Sequence, residues 1–193
     1  MSDGTVELLR ELTEASGISG YEQEVREIIR KHLQKITVIE QDRLGSIVCR
    51  KKGEADIPRI MIAGHMDEIG LIVKLITDEG FIRFGTLGGW WGHVMLAQRV
   101  VIKTRRGDVP GLIGSKPPHI LSDDERKKLL EPKDMYIDVG ATSQEEVKAL
   151  GIRPGDPIIP VFPFTVSGTG KTYLAKGFDD RVGCALVIDV IKN

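Results

Sequence analysis

The chain has 193 residues, 41% of them hydrophobic, with 27 basic against 28 acidic side chains and a net charge of −1. That size buries a substantial core in one or two domains, and the even charge balance, without a basic stripe, excludes a nucleic-acid partner. No apolar run approaches the roughly 18 residues that span a bilayer, and Met1-Ser2-Asp3-Gly4-Thr5 lacks the charged start and apolar stretch of a leader, so no membrane partner and a cytoplasmic location are expected.

In chain order, Val6, Leu8, Leu9, Leu12 and Ala15 keep one apolar face and predict a first helix; Val25, Ile28, Ile29, Leu33 and Ile36 predict a second. Ser16-Gly17-Ile18-Ser19-Gly20 is the turn between them, with Ser19 and Glu22 spaced as a capping box for the second helix. Strands are expected at 37–40 and 46–50. A third, Arg59-Ile60-Met61-Ile62-Ala63, has the continuous apolar character of a strand buried on both faces, which with the helices implies an α/β layer.

From Gly70 to about Val166 the texture changes to strand-length apolar runs at 71–76, 81–84, 99–104, 112–113, 136–139 and 157–161, separated by Gly and Pro turns. These predict a small β-barrel or sandwich, interrupted by short helices starting at capping boxes Ser122–Glu125 and Ser143–Glu146. A further strand at 172–175 and a helix from Asp180 to Ile191 restore the α/β texture. The chain therefore divides into an α/β domain, 1–69 with 167–193, and a β-rich insertion, 70–166. The final helix is apolar almost all round and is expected to be buried in a larger protein, so the α/β domain reads as incomplete.

The chemistry concentrates in two places. His65, just past the expected buried strand, sits where α/β proteins place ligands, and Asp67 is near enough to hold its second ring nitrogen. Asp179 and Asp180 open the last helix; one can cap it, leaving the other free to bridge two cations. Cys49 and Cys184 are too far apart in sequence for a zinc-type pair and read as small buried hydrophobes. Residues 165–172 nearly fit a phosphate-cradling loop, but Thr165 replaces the first glycine and no long helix follows; Ser167, Gly168 and Gly170 are expected to form a loop between the two domains.

Taken together, Ser16–Glu22, Ala63–Gly70, Ile113–His119, Tyr136–Ala141 and Gly177–Arg181 resemble the M42 family of metalloaminopeptidases, which includes tetrahedral and glutamyl aminopeptidases. The resemblance runs from near Thr5 to Asn193 and covers a little over half of a typical member. It implies a zinc-peptidase-like α/β/α catalytic domain, interrupted by a β-barrel that makes dimers and often dodecamers. It further implies two zinc or cobalt ions, with His65 as a ligand to one, Asp179 bridging both, Asp67 as the catalytic carboxylate orienting His65, and Asp180 setting the local backbone. His119 looks structural.

The family's paired glutamates, its next acidic ligand and its distal histidine would lie past Asn193. The full-length protein is thus expected to hydrolyse N-terminal residues from peptide substrates, while these 193 residues alone are expected to be inactive. The alternatives are a truncated, non-catalytic assembly subunit and a metal-independent endoglucanase.

Overall fold

A computed structural model describes residues 3–193; Met1, Ser2 and the side chains of Asp3 and Glu125, on which the leader and first insertion-cap readings partly rested, lie outside the described part. The order is α1 (Asp3–Glu14), α2 (Gln23–Leu33), β1 (Val38–Gln41), β2 (Ile47–Arg50), β3 (Gly70–Ile76), β4 (Ile82–Leu87), β5 (Arg99–Thr104), β6 (Gly107–Gly114), α3 (Asp123–Arg126), β7 (Tyr136–Asp138), α4 (Gln144–Ala149), β8 (Pro157–Pro160), β9 (Thr165–Val166), β10 (Tyr173–Leu174) and α5 (Phe178–Lys192). The chain forms two compact units, Met1–Glu68 with Phe162–Asn193, and Ile69–Val161. Among the described residues no helix is long and apolar enough to cross a membrane.

In the first unit, the apolar stripes of α1 and α2 meet the inner face of α5. Leu8, Leu9, Leu12, Val25, Ile29, Leu33, Cys184, Ala185 and Ile188 share one buried cluster, as the 3.6-residue periodicity requires. The outer face of α5 is uncovered within these residues, as its nearly all-round apolar character implied, with Leu186 60% and Val190 58% exposed. Ile36 lies past the end of α2 and is exposed, because the backbone turns at Leu33, whose carbonyl accepts from both Ile36 and Thr37. β1 and β2 pair as an antiparallel hairpin, its turn held by Asp42 Oδ1, which accepts from the backbone N–H of Leu44, Gly45 and Ser46.

Three expectations need correction here. Residues 59–63 are not a strand: Ile60 and Met61 are 81% and 91% exposed, and no described strand pairs with them. Apolar composition cannot make a strand without a neighbour to take its backbone hydrogen bonds. The split falls after Val161 rather than Val166, because Phe164 packs in the helical core and Thr165–Val166 pairs with Tyr173–Leu174. The 167–170 turn therefore closes a hairpin inside the first unit, with Ser167 N–H donating to Thr172 O, and does not link two domains.

The second unit is a closed barrel with strand order β3-β4-β7-β6-β5-β8, every described pairing antiparallel. Alternating inward residues fill it: Leu71, Val73, Ile82, Phe84, Val100, Ile102, Ile113, Ile137 and Ile158 belong to one cluster. Pro157 and Pro160 stand at the two ends of β8, where a missing N–H is tolerated. Ser143 caps α4 by accepting from Glu146 N–H at 3.2 Å, but the Glu146 carboxylate turns to Thr142 N–H instead of completing the box.

Glu11 on α1 ties to α2 through His32 Nε2 and Lys31 Nζ, at 3.0 and 2.9 Å. Hydrogen bonding by His32, then Lys31, holds the Glu11 carboxyl below its ordinary value of 4.5. A folded value below the unfolded one gives stability present above pH 4.5 and lost as pH falls through the folded value. Glu11→Gln is therefore expected to lower stability at pH 7 by roughly 1 kcal/mol, screening by solvent included, and to flatten the acid limb of urea midpoints measured between neutral pH and the acid transition.

Candidate metal centre

Residues 64–68 and the start of α5 make the site. The loop is pinned to the α1–α2 connection: Glu68 N–H donates to Gly17 O at 2.8 Å, and Ile18 and Glu68 form a parallel bridge. It also lies directly on α5, where Cys184 Sγ donates to His65 O at 3.3 Å. The approach is close at Gly64, where a Cβ would come to 3.0 Å from Asp180 Oδ2 and 3.2 Å from Cys184 N, so its neighbours would have to give by a few tenths of an ångström. Burial, then the nearby Asp180 charge, pushes the Cys184 thiol up to about 11, so it is an inert packing group.

His65 stands between two carboxylates. Its Nδ1 is 3.0 Å from Asp67 Oδ1, and its Nε2 is 3.0 Å from Asp179 Oδ1. Asp67 Oδ2 in turn accepts from Ser19 Oγ. Ser19 was expected to cap α2; instead the cap residue is Glu22, without a side-chain cap bond, and the Glu22 carboxylate accepts from Gly20 N–H at 2.6 Å. The specific acceptor Asp67 competes successfully for the Ser19 hydroxyl.

A neutral imidazole has one N–H, yet both ring nitrogens here face carboxylate oxygens. His65 Nε2 and Asp179 Oδ1 would suit a divalent cation as a pair of donors, with Asp67 taking the remaining proton on Nδ1, the carboxylate–histidine–metal arrangement. Two ligands on a tetrahedral zinc sit roughly 3.3 Å apart, so the observed 3.0 Å separation needs little opening. His65 and Asp179 fit as two donors; among the described residues no group of three or more His, Cys, Asp or Glu side chains is placed to hold a metal ion.

The two aspartates face different ways. The Asp179 side chain is 95% exposed. Asp180 turns inward, accepting from Gly183 N–H at 3.1 Å and His65 N–H at 3.4 Å, and so caps the regular part of α5. The Asp179–Asp180 peptide is cis, with non-helical backbone at both residues.

Next along, Arg181 is completely buried. Its guanidinium donates to the carbonyls of Met66, Leu12, Thr13, Ala15 and Gly17 and to Glu68 Oε1. Lys176 Nζ adds bonds to Ala15 O at 2.8 Å and Glu68 Oε1 at 2.6 Å. Burial holds the Lys176 ammonium below its ordinary range, opposed by Glu68. One carboxylate and the carbonyls at and just past the end of α1 thus share a fully buried cation, Arg181, and a partly buried one, Lys176.

Residues 45–193 match the family model described as M42 glutamyl aminopeptidase. The chain belongs to that family. Residues 3–29 also match a model described as AMPT. A TET aminopeptidase from the marine sediment archaeon Thaumarchaeota archaeon SCGC AB-539-E09 is 48% identical with a TM-score of 0.94, over 98% of this chain and 53% of its own. The Pyrococcus horikoshii TET1 peptidase, described as assembling into a tetrahedron or a large octahedral shell, is 36% identical with a TM-score of 0.85, over 97% of this chain and 56% of its own. The glutamyl aminopeptidase of Lactococcus lactis is 33% identical over 95% of this chain and 53% of its own. The chain spans about half the length of the curated relatives it matches.

In this M42 chain, sequence reasoning brought His65, Asp67 and Asp179 forward but missed Ser19, Glu68, Lys176 and Arg181. A charged Arg opening an otherwise apolar helix was the available signal for Arg181, because such a residue must find several acceptors if it is buried. Arg181→Met is expected to destabilise the fold by roughly 3–5 kcal/mol by leaving buried acceptors unpaired, and Arg181→Lys should recover less than half, lacking the planar fork. Urea denaturation followed by circular dichroism checks both; a Lys variant as stable as the parent would refute the fork.

Proposed function

We propose that this chain carries part of a two-metal aminopeptidase centre, acting on peptide N-termini in the complete protein. The observation that carries the reading is the Asp67–His65–Asp179 chain, with both imidazole nitrogens facing carboxylates, in a member of the M42 family. His65 Nε2 would hold one zinc or cobalt ion and Asp179 would bridge it to a second. The ions, when bound, would supply Lewis acidity for peptide-bond hydrolysis. Asp67 holds the His65 ring by Nδ1, and Asp180 keeps its own carboxylate out of the centre by capping α5. Two unpaired cysteines suit a reducing compartment, and a cytoplasmic setting goes with that.

Zinc titration of the chain by calorimetry tests the reading. About one equivalent should bind weakly, and His65→Ala or Asp179→Asn should each reduce affinity at least tenfold, since an amide is a poor bridge and alanine is no ligand. The chain alone should not hydrolyse aminoacyl-p-nitroanilides, and in the complete enzyme Asp179→Asn should abolish turnover. Two tight sites on the chain, or unchanged affinity in Asp179→Asn, would sink the assignment. Loss of the complete enzyme's activity on chelation separates it from metal-independent glycoside hydrolysis.

We further propose the barrel unit as the self-association module. Its 91–96 stretch exposes Trp91, Val94 and Leu96, the first by 64%, a concentration of apolar surface that suits a symmetric contact. Light scattering of the chain at micromolar concentration should show a dimer or larger species, reduced to monomer by Trp91→Glu combined with Val94→Glu. If the double variant associates like the parent, the uncovered face of α5 is the cause instead.

A further inference from the structure

Ser19 has no job in its own helix. The first turn of α2 takes no side-chain bond from it, and the connection around it is closed by other groups: Tyr21 N–H on Ile18 O at 2.8 Å, and Gly20 N–H on Glu22 Oε1. The side chain is exposed, so its hydrogen bond contributes little to holding the fold. Its position, however, is tightly fixed. Ile18 is completely buried and bridges Glu68, Gly17 O accepts from both Glu68 N–H and Arg181, and a Cβ at Gly17 would come within 2.7 Å of the Arg181 guanidinium. The ladder that sets Asp67 in the 64–68 loop therefore also delivers the Ser19 hydroxyl to Asp67 Oδ2.

We propose that Ser19 is a positioning residue for the metal centre: by donating to Asp67 Oδ2 it turns Oδ1 onto His65 Nδ1, which keeps the ring proton there and leaves Nε2 free as a ligand. A carboxylate swivels easily about its last torsion, and the same imidazole meets a rival acceptor at Nε2 in Asp179. Without the Ser19 bond, Asp67 loses its fixed orientation and the proton can move to the nitrogen that would bind the ion. The inference rests on His65 being a ligand, and the tautomer arm of its test does not.

The test uses the 193-residue chain labelled with 15N-histidine, as parent, Ser19→Ala and Ser19→Thr. Long-range 1H–15N correlation spectra at about pH 8 show which ring nitrogen of His65 carries the proton. Zinc affinity is read by competition with a chromophoric chelator. The parent should hold the proton on Nδ1; Ser19→Ala should raise the Nε2–H fraction and weaken zinc about tenfold, the low end for outer-shell partners, at an unchanged melting temperature. Ser19→Thr, which keeps the hydroxyl, should restore both. The same tautomer ratio in Ser19→Ala and the parent overturns the proposal, as does a threonine variant that behaves like alanine. His65→Ala serves as the control: if it leaves zinc affinity unchanged, the ligand assignment fails, while the tautomer measurement still decides the role of Ser19.

Discussion

Everything at the candidate metal centre hangs on one guanidinium. Removing a cation from water costs several kcal/mol unless each donor finds an acceptor, and Arg181 finds them in two separate stretches of chain, 12–17 and 66–68. The acceptors at the end of α1 are the carbonyls that helix geometry leaves free, and they carry the negative end of its dipole. Because these partners converge only when α1, the 64–68 loop and α5 are in register, the buried charge acts as a key for that register. His65 lies one residue before Met66 and Asp179 two before Arg181, so the network that satisfies the cation also brings the two donors within 3.0 Å of each other.

Around this stiff frame the reactive groups are left outside. The Asp179 side chain is almost wholly exposed and that of His65 55%, whereas Arg181 is sealed. The adjacent aspartates divide the labour by direction: Asp180 satisfies backbone N–H groups at the head of α5, and Asp179 is free to meet an ion. Close backbone approach makes the division possible, since a Cβ at Gly183 would overlap the Asp180 carboxylate and one at Gly64 would crowd it. Asp-Asp-Arg thus combines a candidate ligand, a cap and an anchor in consecutive residues.

Much of this was legible in the sequence. Each of the six barrel strands contains one of the strand-length apolar runs bounded by Gly and Pro, although only 112–113 of β6 (Gly107–Gly114) was legible, because its remainder is largely exposed and less apolar. His65, Asp67 and Asp179 stood out by residue type and setting. What failed depended on partners distant in sequence. Ser19 and Glu22 have capping-box spacing, yet a carboxylate 48 residues away takes the hydroxyl. The 59–63 run has strand composition but no described neighbour, and the boundary near 166 was misplaced because Phe164 belongs to the helical core. Local propensity names an element only while tertiary competition is weak.

The same competition decides how the centre responds to change. A metal site with four or more ligands tolerates a loosened donor, since the others still define the position of the ion. The described residues bring two candidate donors together, His65 and Asp179, and the second stands in the non-helical first turn of α5. With so few direct bonds, the free energy of holding an ion depends strongly on how much ring and carboxylate freedom has already been lost before it arrives. Ser19 restricts Asp67, Asp67 restricts His65, and Arg181 restricts the backbone on either side. With His65 and Asp179 as the proposed ligands, the supporting residues would therefore weigh on metal affinity far more than their own hydrogen bonds weigh on the stability of the fold, Arg181 alone weighing heavily on both.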